Sequence, residues 1–397
     1  MSFKEVTSLG SVVKCLDSKR IPLSSKERES KQGHYPYYGA AGIIDYVNEP
    51  IFSGLYLLMG EDGSVIKEDG TPVLQLVSGE FWVNNHAHVL QGETDLETRF
   101  LYYALGNTNI QGFVTGAVQP KLNQANMNKI PVYFPGKSIR KRIVEILGSL
   151  DDKIELNRQT NATLEAIAQA IFKEWFVDFN YPGATGEMVE SELGMIPKGW
   201  RVGKLEHISD TIDCLHSKKP ERLQEKTGHL LLQLWNILDS GHIDLKDPYW
   251  ITQDDYLKWI SRIEAVEGVS VITNVGRSGV AARIPASLKA ALGRNMTSIR
   301  VKRDFPFDVY LILLLKSPVM AKEIEGKLDP GTIMDSLNVR NIPLLRFVRP
   351  PIELVAAFEE IVKPIWIKTD ENIFESALLE QVRDILLPKL MSGEIKL

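Results

Sequence analysis

The stretch IVEILGSLDDKIELNRQTNATLEAIAQAIFKEW, from Ile143 to Trp175, organises the rest of the chain. Steps of alternately four and three residues trace a seam that is apolar at both ends and carries two asparagines in the middle: Ile143, Leu147, Leu150, Ile154, Asn157, Asn161, Leu164, Ala168, Ile171 and Trp175. Such a spacing is typical of a coiled coil, where an asparagine on the seam sets the register at a cost in stability. The pattern therefore predicts one long helix that needs a partner.

The partner is predicted near the C-terminus, where NIFESALLEQVRDILLPKL repeats the pattern at a constant offset of 215 residues. Asn372 corresponds to Asn157, and the second seam consists of Ile365, Asn372, Leu379 and Leu386. The two seams together predict a coiled coil formed within one chain. The alternative for Ile143–Trp175 is an amphipathic helix that lies on its own domain.

Prolines are expected to interrupt the second helix. A proline inside a helix costs about 3 kcal/mol because it removes a hydrogen bond and its ring clashes with the preceding turn. Pro364 is therefore expected to separate a short helix, Ile352–Lys363, from a paired segment of about Ile365–Met391. Pro388 is expected to fray the end of that segment.

Each long helix follows a globular block, and the second block repeats the order of the first. The predicted division is a mixed α/β block over 1–135, a long helix over 136–180, a linker over 181–198, a second block over 199–350 and a second long helix over 351–397. A pseudo-twofold α+β chain is the fold that this doubling predicts.

Local signals place the elements of the first block. A strand Leu55–Met59, the turn Gly60–Gly63 and a returning strand Ser64–Lys67 predict a hairpin. The turn Gly276-Arg277-Ser278-Gly279 repeats it in the second block. DLETRFLYYALG reads as a helix capped by Asp95, and Asn123 as the cap of a single helical turn.

Composition limits the class of protein but does not define its function. The chain has 397 residues, 44% hydrophobic and 24% charged, with a net charge of −5. Residues 1–135 hold 11 Lys+Arg against 14 Asp+Glu, whereas residues 199–350 hold 22 against 18. The N-terminus shows no export signal and the longest apolar run is short, which predicts a cytoplasmic protein. Cys15 and Cys214 are expected to be small buried side chains rather than a disulfide or a metal site.

The sequence predicts no active site of its own. It contains neither a P-loop nor a dinucleotide-binding glycine motif. His86 and His88 lie two residues apart on a predicted strand, hence on one face, but further ligands for a metal are missing.

The doubled layout resembles the specificity subunit of type I restriction–modification systems. The resemblance is carried by GAVQPKLNQANMNKIPVYFP leading into IRKRIVEILGSLDDKIELN, and by LNVRNIPLLRFVRPP followed by LLEQVRDILLPKLMSGEI. It implies two target-recognition domains held apart by two long antiparallel helices, each domain reading one half of a bipartite DNA site. It also implies two modification subunits that bring S-adenosylmethionine and two restriction subunits that bring ATP and Mg. No cofactor is expected on this chain.

Candidate DNA contacts follow from side-chain chemistry. Arginine suits guanine or phosphate, asparagine suits adenine, and acidic groups accept from the cytosine amine. The candidates in the first block are Tyr37, Glu61, Asp62, Ser64, Asn84, His86, Lys121 and Asn123. Those in the second block are Lys218, Lys219, Asn236, Arg277, Ser278, Arg294, Asn295 and Arg340. The alternatives are turn or capping roles for the short polar residues, solvated charge for the lysines and arginines, and core packing for Tyr37.

A second function stays open at this point. A two-domain coiled-coil scaffold that does not bind DNA would show the same doubling. The absence of salt-dependent affinity for DNA in the assembled complex would favour that alternative.

Overall fold

The computed structural model of the protein describes residues 6–116, 119–330 and 335–397. Residues 117–118 and 331–334, which belong to the two repeated stretches before the long helices, lie outside the described residues. The chain divides into two compact units, Met1–Ile154 with Leu378–Leu397, and Glu155–Ala377. The division falls within both long helices, so each unit contains a globular part and a segment of each helix. It does not test the predicted domain boundaries, which stay a prediction.

The globular part of the first unit is a sheet covered by one helix. Its strands are β1 Val6–Ser8, β2 Lys14–Cys15, β3 Gln32–Tyr38, β4 Ile43–Val47, β5 Phe52–Gly60, β6 Leu74–Val83, β7 Ala87–Gln91 and β8 Pro131–Tyr133. Its helices are α1 Ser25–Ser30, α2 Asp95–Gly106 and α3 Gln124–Met127, after which α4 Lys137–Phe176 begins. The main sheet has the order β2-β7-β5-β6-β3-β4, and β1 pairs with β8. Phe100 and Leu101 of α2 pack on Leu57 and Met59 of β5 to form the core.

The second unit repeats this plan with shorter strands. They are β9 Met188–Ser191, β10 Gly194–Pro197, β11 Arg201–Lys204, β12 Ser209–Asp213, β13 Leu231–Leu232, β14 Ser270–Thr273, β15 Ala281–Arg283, β16 Ala291–Leu292, β17 Met296–Val301, β18 Leu328–Asp329, β19 Ser336–Leu337 and β20 Arg346–Arg349. The helices are α5 Gln253–Trp259, α6 Asp308–Leu315, α7 Pro318–Glu325 and α8 Ile352–Ser392. Every residue of α6 is buried, which explains the almost entirely apolar sequence that follows Asp308.

The repeat predicted from the sequence is confirmed at the level of strand order and hydrogen bonds. The order β12-β17-β14-β15 in the second unit corresponds to β2-β7-β5-β6 in the first, and the pair β11–β20 corresponds to β1–β8. The Leu9 N–H donates to the Ile130 carbonyl at 2.9 Å, and the Leu205 N–H donates to the Leu345 carbonyl at 2.9 Å. The acceptors Ile130 and Leu345 are 215 residues apart, the same offset as Asn157 and Asn372.

Segments of α4 and α8 pack antiparallel in each unit. In the second unit, the Asn372 side chain donates to Asn161 Oδ1 at 2.8 Å, and Asn157 donates to Glu375 Oε2 at 2.9 Å. In the first unit, Arg383 Nη1 donates to Asp151 Oδ1 at 2.8 Å. All predicted seam positions of both helices are buried or half-buried. The mixed α/β fold with paired long helices was therefore predictable from the sequence.

The expected interruption of the second helix was wrong. Helix α8 is continuous from Ile352 to Ser392 through both Pro364 and Pro388. Pro364 and Glu360, whose carbonyl loses its helical donor, are both exposed, so water can replace that hydrogen bond. Val362 and Trp366 are buried on either side of the proline, and packing of this kind outweighs local propensity. The helix ends before Gly393, which has a φ of 73°.

Two local predictions are corrected. Ser64–Lys67 is not a strand, because β5 returns through β6 Leu74–Val83. The side chain that caps α2 is Thr94, which accepts from the Glu97 N–H, rather than Asp95. The region predicted as a linker contains the β9–β10 hairpin. The predicted cap Asn123 is confirmed, since its side chain accepts from the Asn126 N–H at 2.9 Å.

The asparagine pair predicts a test of register. Asn161→Leu should lower the free energy of unfolding by about 1–3 kcal/mol, because it leaves the buried Asn372 amide without its acceptor. The double variant Asn161→Leu/Asn372→Leu should recover most of that loss, since both polar groups are then replaced. Urea denaturation measures both, with the exposed Gln169→Leu as the control. Additive losses in the double variant would contradict the coupling.

Candidate nucleic-acid interface

The structure brings most of the first block's candidate residues together around the turn before β7. The Glu61 N–H donates to the His86 carbonyl at 2.8 Å, and Asn84 Oδ1 accepts from the His86 N–H at 2.8 Å. The Gly63 N–H donates to the Pro120 carbonyl at 3.0 Å, which brings Lys121 next to the same turn. The end of β5, the turn before β7 and the segment before α3 thus form one polar surface, here called the first turn surface.

The candidates on the first turn surface differ in exposure. Glu61 and Asp62 are half-buried. Asn84 is buried, and its side chain stabilises the turn by accepting from the His86 N–H instead of facing solvent. His86 lies in the turn before β7 and is exposed, whereas His88 lies on β7 and is buried, so the prediction that both lie on one face of a strand is wrong. The exposed candidates that a DNA duplex could reach are Ser64, His86, Lys121 and Asn123.

A buried charge network supports the first turn surface from below. His88 Nδ1 lies 2.6 Å from Asp17 Oδ2 and its Nε2 lies 2.7 Å from the Leu122 carbonyl. Arg20 Nη1 donates to Glu61 Oε2 at 2.6 Å. Since both partners of His88 are acceptors, both ring nitrogens carry protons. Burial opposes that charge, but the hydrogen bonds, foremost the one to Asp17, raise the pKa of His88 to about 9.

Two groups of possible metal ligands, which the sequence did not suggest, are explained by other contacts. The ligand atoms of Cys15, Asp17 and His88 lie within 4.8 Å of one another. A doubly protonated imidazole has no lone pair for a metal, so this group is a hydrogen-bonded network. In the group Asp213, Cys214 and His216, Asp213 Oδ2 lies 2.9 Å from His216 Nε2 and 3.5 Å from Arg262 Nη1, so hydrogen bonding within the chain accounts for the cluster.

The second unit builds its corresponding turn with the same backbone hydrogen bonds. The Asn274 N–H donates to the Asn295 carbonyl at 2.8 Å, and the Leu337 N–H donates to the Asn274 carbonyl at 2.8 Å. In the first unit, the Leu122 N–H donates to the Glu61 carbonyl at 2.9 Å in the same arrangement. The turn before β17 is therefore the structural counterpart of the turn before β7, and it presents different side chains.

The turn before β17 borders a hollow of about 170 Å³ lined by Lys219, Gln233, Trp235, Trp259, Arg294 and Asn295. Lys219 Nζ lies 4.2 Å from the ring centre of Tyr249 and 5.1 Å from that of Trp235. Trp235 is 45% exposed. These residues, with the neighbouring exposed Lys218, are here called the second turn surface.

Arg294 and Asn295 are the side chains of the second turn surface best able to bind a ligand. Both are exposed, and Asn295 has a φ of 63°, which asparagine tolerates better than most residues. Arg294 Nε donates to the Ser217 carbonyl at 2.7 Å, which holds the guanidinium in place. Its Nη groups and the Asn295 side chain have no hydrogen-bond partner in the part of the chain that the structure describes.

Two candidates are corrected by burial, and a third makes hydrogen bonds within the chain. Tyr37 is fully buried and its hydroxyl accepts from the Leu23 N–H at 2.9 Å. Asn236 is 1% exposed and folds its own loop, since it accepts from the Gln233 N–H at 2.9 Å. Arg277 donates to the Ile237 carbonyl at 2.9 Å and to Asp239 Oδ1 at 2.5 Å, so much of its donor capacity is used within the chain.

The last two candidates have different surroundings. Ser278 donates to the Asn274 carbonyl at 2.9 Å, which ties the hairpin turn to the base of the second turn surface. Arg340 is exposed at the start of the 3-10 segment Val339–Leu344, and its backbone N–H is capped by Asn338. The sequence indicated Trp235 as a core or domain-surface aromatic, but not its pairing with Tyr249 around Lys219, because their spacing of 14 residues carries no periodic signal.

The geometry defines a class of protein: a doubled mixed α/β chain whose corresponding turns present differing polar side chains. Among the described residues, no helix is both long and apolar enough to cross a membrane. A family model for the type I restriction modification DNA specificity domain matches residues 1–166.

Named relatives agree with that match. A putative type I restriction enzyme specificity subunit of Haemophilus influenzae is 39% identical over 142 residues, which cover 36% of this chain and 36% of that protein. The HindI specificity subunit of the same organism is 27% identical over 70% of this chain and 71% of its own length. The MjaIX specificity subunit of Methanocaldococcus jannaschii is 22% identical over 99% of this chain and 96% of its own length.

The fold agrees over the whole chain as well. The crystal structure of a type I restriction–modification S subunit from M. genitalium aligns with a TM-score of 0.60 and 15% identity, covering 98% of this chain and 97% of that one. Residues 1–166 thus match the specificity-domain family of type I restriction–modification systems, and the chain as a whole is similar to named specificity subunits of those systems. The members of this family are the non-catalytic, DNA-recognising subunits of those systems.

The His88 network predicts a pH dependence of stability. The pKa of His88 is raised in the folded state from an ordinary value of 6.5 to about 9. Its contribution to stability is therefore complete below about pH 6.5 and is lost as the pH rises to about 9. The melting temperature of the wild type should fall across this interval more steeply than that of His88→Gln. Parallel pH profiles of the two proteins would contradict a buried imidazolium.

Proposed function

We propose that this chain is the sequence-reading subunit of a type I restriction–modification complex, in which each unit recognises one half of a bipartite DNA site. The observation that carries the proposal is the doubled turn surface, because the same backbone hydrogen bonds present different polar side chains in the two units. Two similar DNA-binding surfaces with different side chains are suited to two half-sites of different base sequence. Half-site spacing follows the geometry of paired readers in other DNA-binding proteins.

The chemistry of the two turn surfaces supports different targets. In the second unit, Arg294 can donate to guanine or phosphate and Asn295 can pair bidentately with adenine. In the first unit, His86 and Lys121 lie beside the half-buried acids Glu61 and Asp62. The Glu61 carboxylate is engaged by Arg20, so Asp62 is the acid that can accept from the cytosine amine or repel phosphate.

The rest of the complex is proposed from the family. Two modification subunits would bring S-adenosylmethionine and methylate adenine, and two restriction subunits would bring ATP and Mg, with this chain as the scaffold in the cytoplasm. The paired helices would set the distance between the half-sites. A scaffold that does not bind DNA is less well supported, because it gives no reason for the exposed donors of Arg294 and Asn295.

Selection from a randomised DNA library by the chain in complex with modification subunits tests the proposal. The expected result is a split motif: two short specified sequences at a fixed distance with unspecified bases between them. A continuous motif would contradict the bipartite reading. Binding without salt dependence, or no binding, would support the scaffold alternative.

Arg294 predicts which half of the motif depends on the second unit. Arg294→Ala should relax one half-site only, by about 1–3 kcal/mol if the contact is bidentate to guanine. Arg303→Ala is the matched control, because Arg303 is an exposed arginine beyond the opposite end of β17. Competition binding with half-site variants measures both. Equal weakening on all sequences would instead assign Arg294 to a phosphate contact.

A further inference from the structure

A buried polar cluster fixes the globular part of the second unit to its helix segments. Asp370 on α8 is 6% exposed, and its Oδ1 accepts a hydrogen bond from His242 Nδ1 at 2.8 Å. Its Oδ2 accepts from Arg283 Nη1 at 3.4 Å. His242, which precedes α5, and Arg283 of β15 are 0% and 1% exposed. One carboxylate on the helix therefore binds two separate segments of the globular part.

The cluster extends to the beginning of α6. Arg283 Nε donates to Asp308 Oδ2, and Lys363 Nζ of α8 donates to Asp308 Oδ1 at 2.8 Å. Negative and positive groups thus alternate from Asp370 through Arg283 and Asp308 to Lys363. The helix contributes one group at each end of this series, and the globular part contributes both groups in the middle.

His242 also contacts both helix segments of the unit. Its ring stacks on Trp366 of α8, with ring centres 4.4 Å apart and planes at 25°. Its Nε2 lies 3.7 Å from Glu165 Oε1 on α4. The loop that carries His242 is thereby placed against α4 and α8 together.

Buried ionic groups of this kind act on geometry more than on stability. Desolvation offsets much of the attraction within a buried ion pair, whereas an unpaired buried charge is costly. A shift of α8 by one residue would turn Asp370 away from both of its partners, because successive residues on a helix point about 100° apart. The buried Arg283 would then keep its contact with Asp308 but lose its contact with Asp370. The cluster therefore selects one placement of the globular part on the helix segments.

We propose that Asp370 is a positioning residue for DNA recognition. It sets the direction in which the second unit presents its turn surface from the helix segments, and so the number of base pairs accepted between the two half-sites. This inference rests on the proposed bipartite reading and concerns spacing, whereas the exposed side chains of the turn surfaces concern base identity.

Binding to DNA in which both half-sites are fixed and their distance varies by single base pairs tests the proposal. The full chain is used in complex with its modification subunits, as wild type, Asp370→Asn and His242→Ala. The control is Glu323→Gln, which weakens an ion pair inside the globular part: Glu323 Oε1 lies 2.6 Å from Arg346 Nη2, and the exposures of the Glu323 and Asp370 side chains are 11% and 9%.

The wild type should prefer one spacing over its neighbours. In Asp370→Asn that preference should fall about tenfold, the scale of one charge-assisted hydrogen bond, while affinity for single half-site duplexes stays unchanged. His242→Ala should act in the same direction, and Glu323→Gln should keep the wild-type preference.

Several outcomes would overturn the proposal. An unchanged spacing preference in a folded Asp370→Asn protein, or an equal loss at all spacings, would make the cluster structural only. If Asp370→Asn does not fold, His242→Ala decides, because it leaves the Arg283–Asp370 pair in place. A split motif with no spacing preference in the wild type would overturn this inference alone, whereas the absence of a split motif would overturn the proposed function as well.

Discussion

The register of the paired helix segments in the second unit depends on buried amides that each need a partner. Asn372 donates to Asn161, and Asn161 in turn donates to the Thr369 carbonyl at 3.2 Å. With a purely apolar seam, one helix could shift by a turn along the other at little cost in free energy. A shift here would leave the buried amides of Asn161 and Asn372 without hydrogen-bond partners. This constraint fixes the position along the helix axis at which Trp366 and Asp370 contact the globular part. The ionic cluster, and with it the placement of the second turn surface, follows from that register.

The overall arrangement of the fold was predictable because the sequence repeats the order of globular block and long helix. The 3.5-residue seam is a local pattern, and its recurrence at a constant offset identified the partner helix. The corresponding hydrogen bonds of Leu9 and Leu205, and of Asn123 and Asn338 as caps, extend that agreement to details of the backbone. The prolines of α8 misled the prediction, because the sequence shows the cost of Pro364 but not that its turn faces solvent between two buried anchors.

The candidate site was only partly predictable, because reaching DNA is a tertiary property. Polar residue types and turn positions identified the region of His86, Lys121, Arg294 and Asn295. The same reasoning selected Tyr37 and Asn236, which the structure buries, and it could not foresee that Asp239 engages Arg277. The networks around His88 and Asp370 join residues 71 and 128 positions apart, and no local pattern connects such pairs.

The two turn surfaces share a feature that bears on how specificity can change. Main-chain hydrogen bonds hold both turns: the Glu61 N–H binds the His86 carbonyl, and the Asn274 N–H binds the Asn295 carbonyl. Neither bond involves the exposed side chains that follow the turn. Substitutions at His86 or Arg294 therefore leave these main-chain hydrogen bonds in place, whereas Asn295 is constrained by its φ of 63°. New base preferences can accordingly arise from single substitutions at exposed positions while the main-chain support of the turn is kept.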